Sequence, residues 1–183
     1  MIFLHAVVNS PIGALGLWAD DDALVGLEFA DRDARRSGLA AALERDWGAF
    51  TTQTARDPAG AATRLARYFA GELQALDEQP VRYRGSKFQH AVWDALRRIP
   101  VGATLAYAEL ARGIGRPRAV RAAGAANGAN RIAVFVPCHR VIAADGSLWG
   151  YGGGLERKRW LLAHEHARCA DAGAQRELAF ARR

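Results

Sequence analysis

Apolar and polar positions follow two different rhythms along this chain. Near the N-terminus three short apolar runs, "FLHAVV" (Phe3–Val8), "ALGLWA" (Ala14–Ala19) and "LVGLEFA" (Leu24–Ala30), are separated by Asn9-Ser10-Pro11 and Asp20-Asp21-Asp22. Runs of this length between turn-forming residues predict strands. Helical spacing takes over from about Arg35 to Trp47, a Thr- and Pro-bearing connection follows, and a second helix is predicted over Ala61–Ala70 with Gly71 as its stop. The segment "LDEQPVRYRG" reads as a boundary, giving a β-rich domain over 1–80 and a second domain over 81–167, with a tail from 168 to 183.

The second half is helical in period. In "SKFQHAVWDALRRIP", Ser86 and Gln89 form a capping-box signature and Phe88, Val92, Leu96 and Ile99 make one apolar stripe. Pro100 and Gly102 end that helix. A short helix through Leu110, a Gly113-Ile114-Gly115 turn and a further helix from about Pro117 to Ala126 follow, the layout of a helix-turn-helix. In the last of these, Ala119, Ala122, Ala123, Gly124, Ala125 and Ala126 leave Arg118 and Arg121 as the long side chains. So slim a helix either packs closely on a neighbour or lies in a DNA groove with an arginine projecting; the surrounding charge favours the groove.

Charge changes the picture because it is divided. Met1–Pro80 carries 7 Arg and no Lys against 12 Asp and Glu (7 − 12 = −5), leaving 18 basic and 7 acidic residues after it (18 − 7 = +11). A basic half points to a polyanionic partner, or to an arginine-rich solvated surface. The 2 cysteines, Cys138 and Cys169, make no disulfide framework, and no basic leader or long apolar run is present. A soluble cytoplasmic protein is expected.

The chemistry gathers at "IAVFVPCHRV" (Ile132–Val141), an apolar run that reads as a strand ending at Pro137, followed by a thiol beside an imidazole. A buried cysteine is usually inert, but an adjacent imidazolium would favour the reactive thiolate. Neighbours on a strand point to opposite faces, so only a turn at Pro137 would bring Cys138 and His139 into one site. Downstream, "DGSLWGYGGGLERKRWLLAHE" gives a turn at Asp145-Gly146, a glycine-rich loop and a helix ending near Glu165. The loop lacks the Lys-Ser/Thr of a phosphate loop. Glu165 is either an exposed helix-end acid or a carboxylate that orients His139. His164, His166 and Cys169 have no second cluster to complete a metal site, so no metal and no cofactor are expected.

With "VPCHRV", Asn130, Tyr107 and Arg121 upstream of it, and "YGGG…KRWLLAHE" downstream, Lys87–Glu165 resembles the O6-alkylguanine-DNA alkyltransferase family. The first 80 residues match only the general layout of that family's ribonuclease-H-like N-terminal domain. The resemblance implies a mixed α/β fold: that sheet domain, then a mostly helical helix-turn-helix domain carrying the active site. It implies a monomer that repairs double-stranded DNA containing O6-alkylguanine, and O4-alkylthymine besides, by moving the alkyl group to its own Cys138 in a single turnover, with no membrane partner. His139 would be the base, Glu165 would hold it, and Asn130 would tie the helix-turn-helix to the active-site strand. Arg121 would enter the duplex in place of the flipped guanine, with Arg118, Ala119 and Ala122 beside it on the DNA. Tyr107, Val141, Tyr151, Gly152 and Gly153 would line the pocket.

Two positions depart from the family pattern. Some members carry a serine at Gly152, and many have Ser or Thr where this chain has Ala106, so capping there would fall to another residue such as Thr104. A non-catalytic relative would lack Cys138. A regulator would leave "PCHRV" idle, and a cysteine hydrolase would leave Arg121 idle.

Overall fold

The computed structural model describes residues 1–30 and 38–167. The strand predictions hold: β1 (Ile2–Val8), β2 (Leu15–Ala19) and β3 (Leu24–Phe29) form an antiparallel meander, with the register shifting between Trp18 and Ala19. Helix α1 (Leu39–Trp47) covers part of the predicted first helix; Arg35 and Arg36 lie outside the described residues. Strand β4 (Thr51–Thr54), unforeseen in the sequence, pairs parallel to β1 and gives the order β3-β2-β1-β4. All 4 of its residues are exposed, so no apolar alternation announces it. Helix α2 (Ala61–Phe69) begins where Asp57 Oδ1 accepts the Ala62 and Thr63 N–H groups, and Gly71 follows it at φ 106°.

One sheet face carries Phe3, Trp18 and Val25 against Leu39 and Leu43 of α1, with Trp47 and Phe50 closing the cluster. Gly26 permits that approach, since a Cβ there would stand 3.1 Å from Leu39 Cδ2. The chain divides into two compact units, and they interleave. The first takes Met1–His90 together with Asn130–Phe135; the second takes Ala91–Ala129 and the residues from Val136 on. The returning segment lies beside β3, where the Leu27 N–H donates to the Arg131 carbonyl at 2.7 Å. Arg131 pairs there with Asp46 of α1.

Helix α3 (Lys87–Arg97) opens with both halves of the predicted capping box, Gln89 N to Ser86 Oγ and Ser86 N to Gln89 Oε1. In the second unit, β5 (Leu105–Ala106) pairs parallel with β6 (Val141–Ile142). Helices α4 (Tyr107–Gly113) and α5 (Val120–Gly128) are joined by a turn through Gly115 at φ 71°. The predicted helix start at Pro117 is corrected to Val120: Ala119 closes a turn on the Arg116 carbonyl and is the N-cap, so Arg118 and Ala119 precede the helix. Trp93 Nε1 donates to the Ala126 carbonyl and ties α3 to α5. Helix α6 (Leu155–His164) completes the described unit.

The apolar run before Cys138 is not a strand. Ile132 makes an isolated bridge with Leu27, and Val134 sits at φ 74°, a conformation that interrupts extended backbone. Mixed α/β architecture, with an N-terminal sheet domain and a C-terminal helical domain, is the fold. No helix among the described residues is long and apolar enough to cross a membrane.

Candidate active site and DNA-facing helices

Pro137 supplies the turn that a strand could not. At φ −80° and ψ 63°, with Cys138 N donating to the Val136 carbonyl at 2.8 Å, it centres an inverse γ-turn. A 3-10 turn over Cys138–Arg140 follows at once, closed by Arg140 N to the Pro137 carbonyl. Two consecutive tight turns bury Cys138, His139 and Arg140 together before β6 begins.

Glu165 is the C-cap of α6 and is 2 % exposed, so the exposed helix-end alternative does not hold. Its Oε1 lies 3.1 Å from His139 Nε2. Burial pushes the Glu165 carboxyl up. The hydrogen bonds from His139 and Arg140, and the Arg140 charge, outweigh that and hold it well below the usual carboxylate range. An ionised carboxylate only accepts, so Nε2 must be the protonated nitrogen of His139. Nδ1 is buried and takes no hydrogen bond from the protein. Burial lowers the His139 pKa despite Glu165, and Arg140 and Lys158 push it the same way. The resting residue is a neutral imidazole with a bare Nδ1. Of the two roles the sequence left open, an imidazolium beside the thiol or a base that takes its proton, the neutral ring suits the second: burial at 0 % exposure outweighs the single carboxylate.

Two tyrosines feel the charge of Cys138. Burial and the charge of Cys138 raise the Tyr107 phenol, and the same two causes raise Tyr151 well above its ordinary value. The Tyr151 ring stands 6.5 Å from that of His139, edge to face. Tyr107 begins α4, and its ring lies over Gly124 of α5, 3.7 Å from where a Cβ would be. At the start of α4, Glu109 Oε2 accepts the Ala106 N–H at 2.8 Å, the half of a capping box that does not need a Ser or Thr at Ala106.

The glycine loop is held by a residue the sequence did not single out. Lys158, 0 % exposed, donates from Nζ to the Val141 carbonyl at 2.7 Å and to the Trp149 carbonyl at 2.9 Å. One ammonium thus joins β6 to the loop that carries Tyr151, Gly152 and Gly153. Gly153 is buried, while Gly152 is exposed with open space where a Cβ would stand. Arg140 likewise has no role of its own in the sequence beyond the motif "VPCHRV" and the basic half. Both cations are internal, and neither a lysine near Leu161 and Leu162 nor an arginine before Val141 gives a signal of its burial.

The DNA candidates separate cleanly by face. Arg121, Ala122 and Ala125 of α5 are exposed, whereas Ala123, Ala126 and Asn127 are buried. Arg112, Arg116 and Arg118 are exposed on α4 and the turn, so the arginine-bearing surface is continuous along the sequence. Asn130 belongs to the other unit, where its Oδ1 accepts the Ile132 N–H at 3.0 Å. Among the described residues no three His, Cys, Asp or Glu side chains gather as a metal site would need; Cys169 lies outside them.

Residues 3–83 match the family model for the ribonuclease-like domain of 6-O-methylguanine DNA methyltransferase, and 87–167 match the model for its DNA-binding domain. A methylated-DNA–protein-cysteine methyltransferase of Mycolicibacterium paratuberculosis is 48 % identical over 161 residues, covering 88 % of this chain and 91 % of its own. The protein of that name from Salmonella typhimurium is 43 % identical, covering 88 % and 95 %. Among solved structures, Mycobacterium tuberculosis O6-methylguanine methyltransferase superposes with a TM-score of 0.74 at 40 % identity, covering 94 % of this chain and 98 % of its own. The Mycobacterium tuberculosis protein OGT in complex with DNA gives 0.72 over the same shares.

Proposed function

Since the chain belongs to the 6-O-methylguanine DNA methyltransferase family, we propose that it is a methylated-DNA–protein-cysteine methyltransferase that repairs DNA by direct reversal, with Cys138 as the acceptor. The observation that carries the site assignment is the bare, buried Nδ1 of His139, one residue from Cys138, with its ring held through Nε2 by Glu165.

In this reading duplex DNA containing O6-alkylguanine binds along α4 and α5 from the minor groove. Arg121 enters the stack as the guanine leaves it, offsetting part of an unstacking cost of a few kcal/mol. Arg118, Ala119 and Ala122 lie against the backbone. Tyr107, Tyr151, Val141, Gly152 and Gly153 enclose the base, backbone groups at Cys138, Val141, Tyr151 and Gly152 read its edge, and Asn130 fixes the start of the segment before Cys138 by accepting the Ile132 N–H. His139 Nδ1 takes the thiol proton through a bridging water. The thiolate then attacks the saturated carbon on O6: the S–C bond forms, the C–O6 bond breaks, and its electron pair stays with guanine. Guanine takes up a proton, so the net exchange is a thiol hydrogen for an alkyl group. The thioether cannot be reversed by these groups, and each molecule reacts once. The same displacement extends to O4-alkylthymine. The functional domains are 1–80 and 81–167, and the protein acts as a monomer.

Intact mass spectrometry after incubation with a duplex carrying O6-methylguanine tests this reading. One methyl group per protein, mapped to the Cys138 peptide, is expected, and Cys138→Ser should bind the duplex and gain none. Methyl on Cys169, or many lesions cleared per molecule, contradicts it. Turnover of an ester substrate would point to the hydrolase alternative.

A further inference from the structure

Arg140 follows the catalytic pair in sequence and is 4 % exposed. Its guanidinium is wholly engaged inside the second unit. Nε donates to Glu165 Oε2 at 2.8 Å, Nη2 to Glu165 Oε1 at 2.9 Å, and Nη1 to the Ile99 carbonyl at 2.6 Å. Glu165 Oε1 is therefore shared by two donors, Arg140 Nη2 and His139 Nε2. A bidentate fork of this kind fixes both the charge and the plane of a carboxylate.

We propose that Arg140 is a positioning residue for the transfer reaction: by clamping both oxygens of Glu165 it keeps that carboxylate ionised and aimed at His139 Nε2, so that Nδ1 remains the bare, proton-accepting nitrogen. The inference rests on the reading of His139 as the base for Cys138. It goes further by asking what holds the histidine in the useful tautomer.

The proton balance of the buried cluster depends on Arg140. The groups around His139 are Glu165 at the end of α6, Arg140 in the same turn, Lys158 on α6, Tyr151 in the loop, and Cys138. With Arg140 in place, Glu165 and Arg140 cancel and the imidazole rests neutral. Without it, Glu165 is a buried anion that has lost its bidentate cation and still faces a titratable ring, and such a site recruits a proton. That proton has two destinations. On His139 it makes an imidazolium, with hydrogen on both nitrogens. On Glu165 it makes a carboxylic acid, which by donating to Nε2 moves the ring hydrogen to Nδ1. Both destinations remove the lone pair that the thiol needs. Arginine suits the task because the fork occupies both oxygens and leaves one lone pair of Oε1 for Nε2–H. A lysine at this position would supply one point of charge and leave the carboxylate free to rotate.

The test compares single-turnover transfer to Cys138 across pH for wild type, Arg140→Lys, Arg140→Met and a core control, Leu162→Ala, using the full chain. Nitrogen NMR of the His139 ring reads the tautomer directly in each protein. Arg140→Met should be at least about tenfold slower at neutral pH. Its rate should climb about tenfold per pH unit as the recruited proton is removed, and its Nδ1 should carry hydrogen at neutral pH. Arg140→Lys should shift in the same direction by less. Leu162→Ala loses stability without moving the profile or the tautomer. A bare Nδ1 and an unshifted profile in both Arg140 variants, whatever their rates, would overturn the proposal. Should Arg140→Met fail to fold, Arg140→Lys decides alone: an unshifted profile and tautomer there are equally fatal. Failure of wild type to label Cys138 would sink the functional reading instead, and the NMR measurement would still decide the role of Arg140.

Discussion

At the scale of single residues, the chain hides its most consequential features in plain composition. Cys138 and His139 are adjacent in the sequence, and their chemistry was legible there because a thiol beside an imidazole is an unusual pair. The sequence could state only the condition for a shared site, a turn at Pro137, and the γ-turn there meets that condition. It left the charge of His139 open between imidazolium and base, because sequence shows the neighbour but not the burial. Burial gives His139 a consequence that stability measurements can read. Its folded pKa is lowered, so the unfolded chain binds a proton below about pH 6.5 that the folded chain refuses. Stability due to this residue is therefore full above that pH and falls as pH drops toward the folded value. Glu165, also depressed, adds a second loss only below the ordinary carboxylate range. Urea unfolding of wild type should show stability declining already between pH 7 and about 5.5. His139→Gln, though less stable throughout, should lose the part of that slope that His139 contributes. An unchanged slope in that variant would mean that other groups carry the early loss.

Elements were legible where an apolar period or a cap marked them. The meander of β1 to β3, the Ser86–Gln89 box and the stop of α2 by Gly71 all have a chemical signature in the sequence. Strand β4 had none, since TTQT is exposed throughout and owes its extended form to hydrogen bonds with β1. The interleaving of the units was hidden too, because a short segment returning beside β3 leaves no periodic trace. The helix pair α4–α5 was visible from its glycine turn, and its exposed face separates DNA work from chemistry. Arg121 is exposed on α5, while Cys138, His139 and Glu165, the residues proposed for the proton relay, are buried. Arg121→Ala should then repair O6-methylguanine in duplex DNA at least about tenfold more slowly, having lost its wedge and one phosphate-attracting charge. Its reaction with free O6-benzylguanine should stay near the wild-type rate, provided that wild type accepts this base. Equal loss on both substrates would place Arg121 in the pocket.

For the whole molecule, formal charge overstates what is available to DNA. The +11 of the residues after Pro80 counts Arg140 and Lys158, which are buried, and Arg131, which is paired with Asp46. It also counts Arg82, whose guanidinium pairs with Asp20 and Asp22. The exposed arginines of α4, the turn and α5 are of another kind, lying on the surface assigned to the duplex. Two accounts of binding follow. If the polyanion responds to net charge, removing any arginine weakens binding alike. If phosphates are met one by one, each contacting arginine releases its own counterion, worth about 0.9 in the slope of log K against log salt. Arg118→Ala and Arg82→Ala change the net charge by the same amount and so separate the accounts. Full-length Arg118→Ala should lower the slope by about 1 on any duplex sequence. Arg82→Ala should leave the slope as in wild type, because that charge is already spent on two aspartates. Equal slopes in the two variants would favour net charge over contact. Tight, salt-insensitive binding to one particular sequence would instead favour a regulator, since groove-edge hydrogen bonds and not phosphates would then supply the affinity.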